Sequence, residues 1–412
     1  MLRTTFAVRT TVTATAVALA ATAATLLAGG SAGSAPSGNV TGWQAGWGAA
    51  MQQPVAGNED DGPNWSTTGF AAGQSLTQTL RLSGGEGDRL RLRVSNAHGD
   101  RPLRLASVTV GRAAGHDGTT VWPGSERTLT FGGRTAAVVA PGRELLSDGV
   151  PYTTSPLEQV TVKLTFAAAT GPATFHRFTT GTAHRSDGGT TRATYFLKGV
   201  ETHGTRRDGG LVLFGDSLVD GTGTTPGADN RVPDEVAERL RGRGVVNAGI
   251  AGNQLLADSP CFGDKGIDRF KRDVLDRPGV RAAVIHLGAN DIAAAQLGGG
   301  PCMAKRQVTA AELIEGHRKL IRAAHAKGVK AIGATVTPMK GALFPVWSPE
   351  GEKVRGALNE WIRNGGEYDE VLDVDRAMAD PSDPELPRAG YVYMDGLHPN
   401  DAGAAAIAAA LG

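Results

Sequence analysis

The chain has 412 residues, 40% of them hydrophobic and 20% charged, which is too much for one ordinary core and points to at least two folded units. With 42 basic and 41 acidic residues the formal net charge is +1, so no overall field would draw the protein to nucleic acid or to an anionic membrane.

The chain opens with Arg3 and Arg9, an uncharged Ala/Thr/Leu/Val run from Val12 to Gly29, and small residues at Gly30-Ser31-Ala32 and Gly33-Ser34-Ala35. That order predicts a secretory signal peptide over residues 1–35, cleaved near Ala32 or Ala35; a retained membrane anchor is the alternative. The mature protein is therefore expected outside the cell, with no stable membrane anchor.

Residues 40–200 read as β throughout. Leu90, Leu92 and Val94 alternate with Arg89, Arg91 and Arg93. Val160, Val162, Leu164 and Phe166 alternate with Gln159, Thr161, Lys163 and Thr165. A period of two with one polar face marks half-buried antiparallel strands, and turn signals such as Gly84-Gly85, Gly132-Gly133 and Pro141-Gly142 punctuate them. An all-β sandwich of jelly-roll type is expected. Its tryptophans (Trp43, Trp47, Trp65 and Trp122) either present a sugar-binding face or fill the core and the seam to the next domain; the second is preferred because large aromatics usually supply buried area.

Residues 201–210 are polar and are expected to be a linker. Beyond them, over 211–412, five short apolar runs (Leu211 to Phe214, Val245 to Ile250, Ala282 to Leu287, Val329 to Val336, Val371 to Val374) alternate with helical segments. Those segments are Asp234 to Arg241, Ala310 to Ala326, Lys353 to Arg363 and Asp401 to Leu411. Strand–helix alternation predicts a parallel five-stranded sheet covered on both faces, an α/β architecture.

Three short stretches follow these strands, at the sheet edge where open α/β folds place their sites. Phe214-Gly215-Asp216-Ser217 supplies a candidate nucleophile, Ser217. Asn247 to Asn253 and Gly288-Ala289-Asn290-Asp291 supply a backbone N–H at Gly252 and the amide of Asn290, which with the Ser217 N–H make three donors for an oxyanion. Near the end of the chain Asp395 and His398, three apart, suit a carboxylate that orients an imidazole. Taken singly, each piece reads as readily as an ordinary turn or a surface pair; together they are the parts of a serine hydrolase. The Ser is not in a Gly-x-Ser-x-Gly elbow, because position 219 is Val. Asp291 is read as a support. His286 is read as a hydrogen-bonded core residue, and His317 and His325 as solvent-facing. The loops Asp258 to Gly266 and Gly298 to Pro301 suggest a polar rim. Cys261 and Cys302, the two cysteines present, are expected to form one disulfide in an exported protein. No metal site is expected from their spacing.

These four blocks, in this order, resemble those of the SGNH, or GDSL, hydrolase superfamily, over roughly half the mature chain. The resemblance implies a flavodoxin-like three-layer α/β/α sandwich, with Ser217, Gly252, Asn290 and His398 as the four name-giving residues and Asp395 as the third triad member. It implies no cofactor. The amino-terminal half is similar, more loosely, to the β-domain of secreted actinobacterial GDSL-type esterases related to xylanase-cluster arylesterases, matching at Trp43 to Trp47, Arg93 to Ala97 and Thr174-Phe175-His176. The expectation is a serine esterase acting on short-chain or acetyl esters, small or on polysaccharide. A lipase or phospholipase of the same fold, or a non-catalytic carbohydrate-binding protein, is the alternative. The sequence is silent on oligomeric state.

Overall fold

In the amino-terminal half the period-two arginine strand forms as the pattern demands. Gly87–Asn96 buries Leu90, Leu92 and Val94 completely and turns its arginines outward. Gln159–Phe166 does the same with Val160, Val162, Leu164 and Phe166. The computed structural model describes residues 40–57, 62–84, 86–115, 118–178, 181–206 and 209–412. The expected leader, 1–35, lies outside the described residues.

Two antiparallel sheets result. One runs Val40–Gly48, Leu197–Arg206, Gly87–Asn96, Arg143–Leu146, with Val150–Thr154 also on Gly87–Asn96. The other runs Thr190–Thr191, Ala183–Arg185, Ser75–Arg81, Gln159–Phe166, Leu103–Arg112, Arg127–Thr128, with Ala137–Val139 on Leu103–Arg112. They enclose one core, in which Leu76, Leu92, Val108, Val162 and Phe166 meet an aromatic group of Trp65, Phe70, Tyr195 and Phe196. Trp47 and Trp65 are buried, Trp43 lies beneath the Arg91 guanidinium at 4.1 Å, and Trp122 is exposed. Trp47 and Trp65 thus supply core area, as large aromatics usually do.

The linker expectation needs correction. Glu201 to Arg206 is the second half of a ten-residue strand, Leu197–Arg206, paired on both sides. Its polarity has a structural cause: Glu201 is buried and accepts from Arg91 (2.7 Å) and Arg93 (2.8 Å) on the neighbouring strand, so charge there marks a strand and not a connector.

The carboxy-terminal half carries the parallel sheet, in the order Val245–Gly249, Gly210–Gly215, Val280–His286, Lys330–Ala334, Glu370–Leu372. Both faces are covered, which is why its strands read as unbroken apolar runs. Val212, Phe214, Ala283 and Ile285 pack with Leu320, Ile321 and Leu358 from the helices Ala310–His325 and Pro349–Asn364. Leu211, Leu213 and Val284 pack on the other face with Val236, Ala404 and Ile407 from Val232–Arg239 and Asp401–Ala409. Helix starts follow capping chemistry. Thr309 and Glu312 form a capping box, and Ser348 accepts the Gly351 N–H one residue before Pro349, which starts that helix four residues earlier than its apolar period suggests. Val374, expected to end the last strand, instead begins the helix Val374–Met378.

The sandwich and the parallel sheet are fastened directly. Buried Arg277 donates to Ala49 O (2.7 Å) and Lys198 O (2.9 Å), Ser83 Oγ accepts the Val245 N–H (2.9 Å), and Arg81 pairs with Glu238 (2.5 Å). Among the described residues no helix is long and apolar enough to cross a membrane.

Candidate active site

The first parallel strand, Gly210–Gly215, sits between the second and third in the sheet, so the chain's direction of winding reverses beside it. Such a reversal opens a crevice at the carboxyl end of the strands. Asp216 follows this strand and caps the short helix Ser217–Asp220 through the Leu218 N–H (3.2 Å). Ser217 is thereby fixed at the mouth of the crevice.

His398 arrives from the other end of the chain. Its Nε2 is 2.8 Å from Ser217 Oγ and its Nδ1 is 2.6 Å from Asp395 Oδ2. The other oxygen of Asp395 accepts the backbone N–H groups of Leu397 (2.9 Å) and His398 (3.0 Å), so the carboxylate and the ring are locked in one turn. Burial pushes the Asp395 carboxyl up, yet the bonds from His398 and Leu397 outweigh it and hold the group below its ordinary value of 3.8. An ionised Asp395 requires the proton on Nδ1, which leaves the Nε2 lone pair facing the Ser217 hydroxyl.

Gly252 and Asn290 line the same cavity of about 710 Å³ as Ser217 and His398, so all four residues singled out in the sequence converge. Gly252 has φ +77°, and a Cβ there would stand 2.5 Å from the Phe262 ring. Only glycine suits that backbone and that contact. Asn290 begins the helix Ala289–Leu297 beside Ala289 and donates from Nδ2 to Asn253 O (3.2 Å). Asp291 supports this pair: its two oxygens accept Leu255 N–H (2.7 Å) and Leu256 N–H (2.9 Å), tying the Gly252 loop to the Asn290 helix. Complete burial drives its carboxyl up to about 7, against the pull of those two bonds. Cys261 and Cys302 are joined, with Cα atoms 5.2 Å apart, and clamp the two loops farther out.

Several supporting residues had no sequence signal. Arg269, wholly buried, donates to Gly215 O (2.7 Å), Ala248 O (2.8 Å) and Asn253 Oδ1 (2.9 Å), and lies on Phe214 at 4.1 Å. It binds the ends of two strands to the loop that carries Gly252. Burial lowers its pKa to about 10, offset by Asp273, which a single π-helical turn, Lys271–Leu275, brings beneath it. In the sequence Arg269 belongs to an alternating charge run that reads as a solvated face. From the sandwich, Arg177, Phe178 and Arg192 reach the cavity wall.

Three readings are corrected. His317 does not face solvent: it is buried, with Nε2 donating to Leu287 O (3.2 Å) and Nδ1 accepting from Tyr368 OH (2.5 Å), and burial depresses its pKa to about 4. Its helix turns this position, flanked by charged neighbours, onto the sheet. His325 is exposed and pairs with Asp369 (2.8 Å). His286 is a core residue, yet neither ring nitrogen finds a hydrogen bond among the described residues; Nδ1 stops 3.4 Å from Asp216. The rim is mixed, not polar throughout. Phe262, from the first of the two loops rich in Gly, Pro and Asp, and Leu297, which ends the helix before the second, face the cavity with Met339, Phe344, Val346 and Leu397, while Arg177, Arg192, Thr222 and Thr224 add polar groups. Among the described residues no cluster of three His, Cys, Asp or Glu side chains is placed to hold a metal ion.

Residues 213–406 match the GDSL-like lipase/acylhydrolase family. The span begins inside the first parallel strand and ends in the last helix, so it takes in every residue of the relay. No curated protein matches the chain. Among solved structures, the aryl esterase of M. smegmatis is similar at 18% identity over 49% of this chain and 95% of its own, with a TM-score of 0.38. A GDSL-like lipase from Bacteroides thetaiotaomicron is similar at 18% identity over 49% of this chain and 84% of its own, with a TM-score of 0.37.

Proposed function

We propose that the protein is an exported serine esterase that hydrolyses carboxylic esters through an acyl-serine intermediate. The observation that carries this reading is the unbroken relay Asp395–His398–Ser217, at 2.6 and 2.8 Å, opening into a cavity that Asn290 and Gly252 share.

His398 Nε2 takes the Ser217 hydroxyl proton as Oγ attacks the ester carbonyl carbon. The carbonyl electron pair moves onto oxygen, where the N–H groups of Ser217 and Gly252 and the Asn290 amide stabilise it. The tetrahedral species collapses, the C–O bond to the alcohol breaks, and His398 gives its proton to the departing oxygen. Water then attacks the acyl-serine with His398 again taking the proton, releasing the acid and restoring Ser217. Asp395 stays ionised throughout and stabilises the transient imidazolium.

A cavity of about 710 Å³ walled by Leu218, Phe262, Leu297, Met339, Phe344 and Val346 holds more than an acetyl group. Short to medium acyl or aryl esters on soluble alcohols are the proposed substrates, with acetylated polysaccharide as a natural source of small acyl esters. The lipid reading has one observation in its favour: Leu297 and Tyr393 on the cavity wall, with Leu343 and Met394 beside it in sequence, are among the exposed large apolar residues. Hydrolysis of p-nitrophenyl esters from acetate to palmitate, beside acetate release from acetylated xylan, tests the proposal. A kcat/KM that peaks at two to eight carbons in monomeric substrate supports it. Activity confined to long chains above their critical micelle concentration would transfer the function to lipids, and no turnover of any ester would reject it.

A further inference from the structure

We propose that His176, a residue of the amino-terminal sandwich, positions the oxyanion loop by acting through Asp220; this rests on the esterase reading of the Ser217 site. His176 lies on the two-residue strand Phe175–His176, paired with Thr194–Tyr195, and is 2% exposed. Its Nδ1 is 2.8 Å from Ala50 O and its Nε2 is 3.0 Å from Asp220 Oδ1. Asp220 is the last residue of the helix that Ser217 begins, and it too is buried.

Asp220 in turn grips, at two points, the segment that leads into Gly252. Its Oδ2 accepts the Ala251 N–H (2.9 Å), one residue before Gly252. Its backbone carbonyl accepts from Asn247 Nδ2 (3.2 Å), while Asn247 Oδ1 accepts the Gly249 N–H (2.9 Å). The turn is pressed against this helix so closely that a Cβ at Gly249 would stand 2.2 Å from Asp220 N. Nucleophile helix and oxyanion turn are therefore registered to one another through Asp220, and His176 fixes the side chain that does it.

The proton count sharpens the point. A carbonyl oxygen only accepts, so Nδ1 must carry a hydrogen toward Ala50. Nε2 then faces a carboxyl oxygen, and one further proton must lie between them, giving either imidazolium with carboxylate or neutral imidazole with carboxylic acid. Both forms are net neutral, which a pair this deeply buried requires. An imidazole satisfies the Ala50 carbonyl and the Asp220 carboxyl at once from the sandwich side. The sandwich is thus a working part of the site, and His176 is a positioning residue that never meets substrate.

The experiment uses the full-length protein and two readouts: steady-state ester hydrolysis, and the rate at which a fluorophosphonate labels Ser217. His176→Ala and His176→Asn, whose amide reaches only toward Ala50, should lower kcat by about 10–100-fold with KM within about twofold, the scale of a small misplacement of catalytic groups. His176→Gln, whose amide reaches Asp220, should recover most of that loss. Asp220→Asn should outperform Asp220→Ala, because its oxygen accepts the Ala251 N–H and its amide donates to a neutral His176; this pair decides the matter if the His176 variants fail to fold. Labelling of Ser217 should slow in the same order, and it reports on the site even if no ester is turned over, which separates failure of the esterase reading from failure of this one. Normal kcat in His176→Ala or His176→Asn, a loss confined to KM, or a Gln variant no better than Asn would overturn the proposal.

Discussion

Removing the Cys261–Cys302 bridge by the double substitution Cys261→Ser/Cys302→Ser should lower thermal stability by a calculable amount and activity by much less. The bridge closes a segment with a sequence separation of 41. In the chain-entropy treatment a loop of that size withholds about 13 cal/mol/K from the unfolded chain, or about 4 kcal/mol at room temperature. Unfolding of about 380 residues as one unit carries an entropy of roughly 0.8 kcal/mol/K, so Tm should fall by about 5 °C. The effect on the site is indirect. Phe262, next to Cys261, covers Gly252, but the loop keeps a second fastening: Ser259 Oγ accepts the Cys261 and Phe262 N–H groups (3.1 and 2.9 Å) and donates to Cys302 O (2.6 Å). That hydroxyl sits at the same junction as the bridge and survives its loss.

The assay is differential scanning calorimetry with parallel kinetics, supplemented by amide exchange over the segment from Ala251 to Lys265. A Tm lower by about 5 °C, faster exchange confined to that segment, and a kcat loss under about tenfold fit the account. An unchanged Tm would refute the loop-entropy argument. A kcat loss as large as that of Asn290→Ala would refute the claim that Ser259 holds the loop independently.

Four further outcomes follow from the same geometry. Ser217→Ala should abolish ester hydrolysis with an unchanged melting curve, and a fluorophosphonate should modify Ser217 alone; mass spectrometry of the labelled peptide checks both. Asn290→Ala should lower kcat by about 10²–10³-fold with little change in KM, as the loss of one oxyanion donor does, whereas a raised KM would make it a substrate-binding residue. Asp291 should make the fold less stable as pH rises: its folded pKa of about 7 lies above the ordinary 3.8, so the folded state binds more protons across that window and its advantage, complete below 3.8, is lost on passing about 7. Asp291→Asn should melt lower than wild type at pH 5, because one of two N–H donors loses its acceptor, but the wild-type decline between pH 5 and 8 should flatten; an unaltered pH slope contradicts this. Asp395 acts in the opposite sense, its folded pKa being depressed, so the stability it contributes is present above 3.8 and lost as pH falls through its lower folded value; Asp395→Asn should remove that acid-side loss in urea titrations.

What could be read from the chain was set by how locally each feature is encoded. The strand of Arg89 to Val94 announces itself because one residue in two must face the core, and the parallel strands because both faces are buried. The stretches carrying Ser217, Gly252, Asn290, Asp395 and His398 stand out in the sequence because each is a short loop or helix start at the end of a strand or turn, whose residues serve that local geometry, as Asp395 does by accepting the Leu397 and His398 N–H groups. Arg269 was illegible for the converse reason. Its three acceptors, Gly215 O, Ala248 O and Asn253 Oδ1, lie up to 54 residues away, and two of them are backbone oxygens that every residue type carries. His317 was misread because burial of a histidine depends on partners, here Tyr368 and Leu287, that the helix itself does not contain. Glu201 was misread as linker for the same cause: its arginines come from a strand more than a hundred residues earlier.

The buried charges also explain why the two halves are not separable in the way their patterns suggest. Asp273 sits beneath Arg269, with Arg272 (3.1 Å) beside it and Lys198 of the sandwich close enough to act on it; burial alone would raise its carboxyl, and these cations instead hold it well below the carboxylate range. Lys198 itself pairs with Glu144 (2.6 Å) and donates to Arg272 O (3.1 Å). Asp273 keeps Arg269 and Arg272 on its own side and Lys198 keeps Glu144, but the contacts that cross the seam (Arg277 to the Ala49 and Lys198 carbonyls, and His176 to Asp220) vanish when the halves are parted, leaving buried charged groups short of hydrogen-bond partners. A chain beginning at Gly209 would lose Lys198, the Ala49 carbonyl that Arg277 requires and His176 together. Such a chain should be insoluble or collapse without activity even though it retains every residue of the relay. A soluble, fully active protein from that truncation would show that the seam is ornament to the catalytic sheet, and it would remove the physical basis for assigning the sandwich any part in the site.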